Sequence, residues 1–196
     1  MGALCLGMAC AASALAAEAP AAAVSEGQGS PLVEVVRGGY AEAEFGYAAL
    51  TTPGDSQKIA TGTVVDLDMG YDLSRALGVG LFVWGAALST PSSSSAGDFS
   101  AVFPGAELRL YLPLGEDAAG TQRLVLGLRA GGGLMLFSPG SAAPGPAPAA
   151  RAGVDLEYFT RLRHFSVGIG AEGVAAFPSG GSLFGAALSP FARYSF

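Results

Sequence analysis

His164 and Ser166 stand two residues apart with Phe165 between them. In an extended strand, residues i and i+2 share a face. The imidazole then lies where it can take the Ser166 hydroxyl proton, and a nearby acid would complete a nucleophilic set. A second group of reactive side chains recurs at the same even spacing. It comprises Glu42 and Glu44, Asp66, Asp68 and Asp72, Glu107 and Arg109, Asp155 and Glu157, and the single residues Arg129, Glu172 and Arg193, with Arg161 and Arg163 near one rim. Carboxylates in these numbers suit an ion path or acid–base catalysis. Interleaved with arginines they suit a closed network of ion pairs, because charges persist in a confined interior only when paired and hydrogen-bonded. Eight strands leave no aqueous bore, which favours the network. Gly131-Gly132-Gly133 lacks the Lys-Ser/Thr of a phosphate loop and sits within a strand-like run. Asp55 and Asp98 show no EF-type spacing. Neither a cofactor nor a metal site is expected.

The elements that must carry these residues are strands. Eight segments alternate with period two: Gly39–Thr51, Ile59–Leu73, Leu77–Ser89, Phe99–Leu112, Arg123–Phe137, Arg151–Arg161, Phe165–Phe177 and Leu183–Phe196. Each is at or above the about 9–11 residues that a tilted strand needs to cross a bilayer. The last is the clearest. Phe184, Ala186, Leu188, Pro190, Ala192, Tyr194 and Phe196 make an apolar row against Gly185, Ala187, Ser189, Phe191, Arg193 and Ser195. Tyr194-Ser195-Phe196 has the form of the terminal signal that outer-membrane assembly machinery reads.

Composition narrows the class. The chain has 196 residues, enough for one domain. Charged residues are 13 % of it and the mean hydropathy is +0.45, yet beyond the N-terminus no apolar run is long enough for a spanning helix. A closed barrel is the remaining architecture in which every backbone donor and acceptor finds a partner in lipid. Residues 1–17 read as a signal peptide, with an apolar Gly2–Leu15 stretch and an A-x-A site near residue 16 or 17. Basic residues are absent before Arg37, so an uncleaved anchor is the competing reading. Both cysteines, Cys5 and Cys10, fall in this segment, and cleavage leaves no thiol for disulfides or metal. Residues 18–38 form an Ala/Glu/Pro/Ser-rich, disordered periplasmic lead. Net charge is −6, with Lys58 the only lysine, which excludes a nucleic-acid surface.

The connections agree with a barrel in the outer membrane of a Gram-negative bacterium with a periplasmic N-terminus. Outward links are Thr52–Lys58, Thr90–Asp98, Ser138–Ala150 with four prolines, and Pro178–Ser182. Inward links are Ser74–Ala76, Pro113–Gln122 and Leu162–His164. The face that carries isolated charges among glycines suits a narrow interior, and the Leu/Val/Tyr face then meets lipid. Two features run against this: Pro104 and Pro190 inside strands, and Phe82 and Trp84 on the inward row. The expectation is an all-β, eight-stranded antiparallel up-and-down barrel over residues 39–196. Outer-membrane lipid, the assembly machinery and other envelope or motility proteins are its expected partners.

Two resemblances bear on function. His164-Phe165-Ser166 resembles the His-x-Ser of outer-membrane lipid A deacylases, which implies a lipid hydrolase using His164 and Ser166. That motif continues with Asn where this chain has Val167, and the topology sets His164 at an inward turn with Ser166 on the inward face. More broadly, Arg37–Gly46, Met69–Leu73, Leu162–Gly168 and Pro190–Phe196 are similar to the CglE-type outer-membrane proteins of myxobacterial adventurous gliding motility. The likeness spans the barrel. It implies a non-enzymatic envelope component beside the motility machinery, with no catalytic residue. Members often carry cysteines in outer loops; this chain has none there.

Overall fold

The computed structural model describes residues 38–52, 55–91, 97–116, 122–140, 145–162 and 164–196. The signal and lead expected over residues 1–37, and Arg163, lie outside them. Eight strands follow one another: β1 (Gly39–Thr52), β2 (Asp55–Asp72), β3 (Leu77–Ser89), β4 (Phe99–Glu116), β5 (Gln122–Ser138), β6 (Ala147–Phe159), β7 (Phe165–Ala176) and β8 (Leu183–Ser195). Each pairs antiparallel with its sequence neighbours, and β8 returns to β1 to close the barrel. The order is the simplest a chain of hairpins can take, and closure leaves no free edge.

The paired residues fix the geometry. A path taken straight across the strands from Tyr40 runs through Gly70, Gly80, Glu107, Gly131, Arg151, Val174 and Gly185 and comes back on Leu50. The stagger around the barrel is therefore ten residues along β1. With strands about 4.8 Å apart and about 3.3 Å per residue, that stagger tilts them by roughly 40° and gives a backbone radius of roughly 8 Å. Side chains fill such a cylinder.

The alternation expected from sequence holds on every strand. Tyr40, Glu42, Glu44, Ala48 and Leu50 of β1 are buried, whereas Phe45 is 62 % and Tyr47 57 % exposed. Around the whole circumference the outward row carries large apolar side chains, including Leu67, Met69, Leu81, Leu108, Leu134, Val154, Ile169 and Leu188. An unbroken apolar surface of this extent does not suit water. Among the described residues no helix is long and apolar enough to cross a membrane. Tyr71, Tyr158, Tyr194 and Phe196 gather on the outward row at the end where β1 begins and β8 finishes. This is the terminal end; the other is the loop end. Such an aromatic girdle is how barrels mark the boundary between hydrocarbon and headgroups.

Several strands outrun their expected limits. The β5–β6 link begins at Pro139, but β6 starts as early as Ala147. Pro148 is tolerated because it faces outward, pairs with Leu134, and accepts the Phe177 N–H at its carbonyl (2.9 Å). By composition alone, with four prolines, that stretch reads as loop throughout. At the terminal end β4 continues past Pro113 to Glu116 through register shifts at Pro113 and Gly115, which shortens the link read as Pro113–Gln122. The prolines within strands cost ladder pairing on one side each. Beside Pro104 the β4–β5 register stops at Val102↔Leu136 and resumes at Gly105↔Gly133, while Val83↔Pro104 is kept. Beside Pro190 the β1–β8 register stops at Glu44↔Phe191 and resumes at Tyr47↔Leu188, while Ile169↔Pro190 is kept.

Candidate functional site in the barrel interior

The interior is layered along its axis. At the terminal end Tyr111, Val125 and Phe159 form a small apolar floor. At the loop end a larger apolar cluster, among it Leu50, Val64, Leu88, Phe99, Phe103, Met135 and Phe137, fills the bore. Between them lie the charges. Among the described residues the buried acids are Glu42, Glu44, Asp66, Asp68, Asp72, Glu107, Asp155, Glu157 and Glu172, and the buried bases are Arg109, Arg129, Arg151 and Arg193.

Each arginine is the hub of one group. The Arg109 guanidinium donates from Nη1 to Glu42 Oε2 across the barrel (2.8 Å) and from Nε to Glu107, while its Nη2 stands 2.8 Å from Glu42 Oε1 and 3.5 Å from Asp68 as an ion-pair contact. Arg129 forks onto Glu44 and stands 3.4 Å from Asp155 and 3.7 Å from Glu172. Arg193 places Nη2 2.8 Å from each oxygen of Asp72, donates from Nη1 to the Tyr111 hydroxyl (2.7 Å), and lies 3.8 Å from Glu157. The planar fork is what lets one side chain satisfy carboxylates on two strands at once. The network therefore ties β1, β2, β4, β5, β6, β7 and β8 to one another through the lumen.

Arg151 is the hub that sequence reasoning missed. It donates to Asp66, to Asp68 (2.8 Å) and to Glu107 (2.6 Å), and comes within 3.6 Å of Glu172. The expected strand Arg151–Arg161 sets it at the outer tip. With β6 starting at Ala147 it sits in the middle, on the inward row with Gly153 and Asp155. Counting back by twos from Asp155 is the signal that finds it.

The aromatic residues that counted against the barrel are part of this network. Phe82 lies under the Arg151 guanidinium, 3.5 Å from ring centre to Cζ, and packs edge-on to Phe103 at 4.9 Å. Trp84 donates its Nε1–H to Glu172 (2.6 Å). Tyr40 lies beneath Arg193, whose Cζ is 3.8 Å from the ring centre. Glycines make the room. A Cβ on Gly70 or Gly80 would meet the Tyr40 hydroxyl at 2.5 or 2.7 Å, and one on Gly131 would sit 3.0 Å from the Phe82 ring. The triple glycine is thus a packing device, since a Cβ on Gly133 would strike the Pro104 carbonyl at 2.1 Å.

The structure separates His164 from Ser166. Ser166 is inside the lumen and donates to Glu157. His164 is at the rim, with Nδ1 2.7 Å from the Ser195 carbonyl and its ring stacked on Tyr194 at 5.6 Å. Their shared alternation stops at the turn that precedes Phe165, so no nucleophile–base pair forms. Arg161 is exposed and belongs to no part of the network. Arg123 holds the same turn by donating to the carbonyls of Phe159 (3.4 Å) and Thr160 (3.0 Å). Tyr194 and Phe196 lie on the outward row, and the Phe196 N–H donates to Gly39 (2.8 Å). One group has metal-ligand geometry: carboxylate oxygens of Glu42, Glu44 and Asp68 lie within 4.8 Å of one another.

Closed, up-and-down and filled, the barrel has the architecture of the small outer-membrane proteins. It is similar to Neisserial surface protein A, with 14 % identity and a TM-score of 0.62 over 81 % of this chain and 97 % of that one. It is also similar to the outer membrane protein OprG from Pseudomonas aeruginosa, with 12 % identity and a TM-score of 0.53 over 84 % of this chain and 100 % of that one. No protein-family model matches the chain, and no curated protein sequence matches it.

Proposed function

We propose that this chain is a non-enzymatic outer-membrane barrel with a structural or interaction role, its terminal end toward the periplasm and its loop end outward. The single observation that carries this is the continuous apolar outer row, closed on itself around a filled interior. Lipid is the solvent for such a surface, and an interior plugged at both ends conducts nothing. With His164 and Ser166 apart, nothing favours lipid hydrolysis. The links at the loop end, between Thr90 and Asp98 and between Pro139 and Pro146, are then the parts available to partners in the envelope. The resemblance of Arg37–Gly46, Met69–Leu73, Leu162–Gly168 and Pro190–Phe196 to CglE-type proteins supports gliding motility as the process those partners serve.

Two experiments test the two levels. Membranes separated on a density gradient should hold the chain in the outer-membrane fraction, and unboiled samples should run faster on gels than boiled ones. Recovery from the aqueous periplasm with a single mobility overturns the barrel reading. A clean deletion should abolish single-cell gliding while leaving the envelope intact; normal gliding overturns the motility reading and leaves the barrel standing.

A further inference from the structure

The outer wall is not evenly coated. Between β2 and β5 it carries an apolar groove of about 810 Å³, within the about 300–1,000 Å³ usual for a small-ligand site. Its depth comes from side-chain size. Leu81 is paired with Ala106 and Val79 with Leu108, so large and small residues alternate diagonally across the β3–β4 seam. Ala130 of β5, paired with Leu108, continues the low ground. Tyr40 and Glu107 also border the groove, but both side chains are buried in the lumen, which leaves the groove itself apolar.

Its direction is informative. The groove opens at the girdle of the terminal end, beside Tyr71 and Phe196. From there it follows the row Tyr40–Gly70–Gly80–Glu107 that runs straight across the strands, and this row climbs toward the loop end. Four strand spacings separate β1 from β5, about 19 Å along the row, and at a tilt of roughly 40° the row rises roughly 12 Å. One leaflet offers about 15 Å of hydrocarbon depth. The groove thus starts at the headgroup layer and ends close to the bilayer midplane, which is the course of a lipid acyl chain. Among lipid tails hydrophobicity does not drive association, so close packing in a fitted groove is what holds one chain in preference to others.

Charge at the mouth selects a headgroup. Arg75 is exposed at the tip of the β2–β3 turn, just beyond Tyr71 and Val79. Ser74 fixes that turn, its hydroxyl accepting the Ala76 and Leu77 N–H groups (3.2 and 3.1 Å). Arg161 is exposed at the same end, whereas the exposed carboxylate among the described side chains, Asp98, is at the loop end. A basic rim beside a hydrocarbon groove suits an anionic headgroup.

We propose that this groove binds an acyl chain of one anionic phospholipid of the periplasmic leaflet, with Arg75 beside its phosphate. The site rests on the outer-membrane reading above, with the terminal end toward the periplasm. The full chain, refolded into detergent micelles doped with phosphatidylglycerol, tests it by native mass spectrometry. Wild type should retain one phosphatidylglycerol per barrel, in preference to diacylglycerol with the same chains and to lipid A. Ala106→Trp fills the groove and should weaken retention about tenfold, through lost contact with several chain carbons. Ala171→Trp, outward on β7 across the barrel, should leave it unchanged. Arg75→Ala should weaken phosphatidylglycerol about fivefold and leave diacylglycerol as it was. Heat-dependent gel mobility checks the fold of each variant, and the wild-type preferences stand without any variant. A wild-type barrel with that mobility but no retained phosphatidylglycerol overturns the site and leaves the barrel standing; a chain without that mobility overturns both. Undiminished retention by folded Ala106→Trp, a preference for lipid A, or a second copy of the chain seated in the groove in place of lipid also overturns the site.

Discussion

Toward the loop end the barrel interior holds Phe99, Phe103, Met135, Phe137 and Leu88; from there to the floor of Tyr111, Val125 and Phe159 the same cylinder, with the same radius and the same glycine-lined walls, holds four arginines and nine carboxylates. The apolar half needs only the right volume. Its contacts are non-directional and many, so side chains of similar size exchange at small cost. The charged half needs particular atoms at particular places, because each unpaired group there retains its full desolvation cost. One half tolerates drift; the other specifies which strands stand opposite one another.

The difference can be broken most forcefully at Arg151. Replacing it with Met leaves Asp66, Asp68, Glu107 and Glu172 short of a partner and should cost about 3–5 kcal/mol, or prevent refolding altogether. Urea unfolding in micelles, read by heat-dependent gel mobility, measures it. Arg151→Lys should lose most of the same amount, since a point charge cannot serve three carboxylates as a fork does; an unchanged midpoint would remove geometry as the reason for this half. Phe103→Ala in the apolar half should cost about 3–4 kcal/mol through the cavity it opens next to Phe82. Trp84→Phe, at the border of the two halves, should cost about 1–3 kcal/mol because Glu172 loses the indole donor. The smallest effect belongs to Met135→Leu, below about 1.5 kcal/mol. A loss at Met135 as large as that at Arg151 would erase the distinction between the halves.

What sequence showed of this molecule follows from where alternation speaks. The even spacing of Glu42, Glu44, Asp66, Asp68, Glu107, Arg109, Arg129, Asp155, Glu157, Glu172 and Arg193 placed all of them on the inward row, where they are found. Alternation says nothing of depth. Pro144, Pro146 and Pro148 read as loop and set Arg151 at the very tip of its strand, and only the outward direction of Pro148 explains why the strand survives there. Likewise Phe82 and Trp84 looked misplaced among inward residues. They lie where charge gives way to grease, one beneath a guanidinium and the other bonded to a carboxylate. Pairing across the lumen joins residues as far apart in sequence as Arg193 and Asp72, and nothing local in the chain announces such partners. His164 and Ser166 illustrate the reverse error: two residues close in sequence lose their common face because a turn separates them.

The path from Tyr40 that returns on Leu50 lands an even number of steps away. Parity is thus conserved where β8 meets β1, and an inward neighbour is inward from both sides of the seam. Removing one residue from the middle of any strand would make the count odd, and the mismatch has nowhere to hide in a ring without edges. Length changes in this protein are therefore confined to pairs of residues, to the bulges at Pro113 and Gly115, or to the links outside the wall.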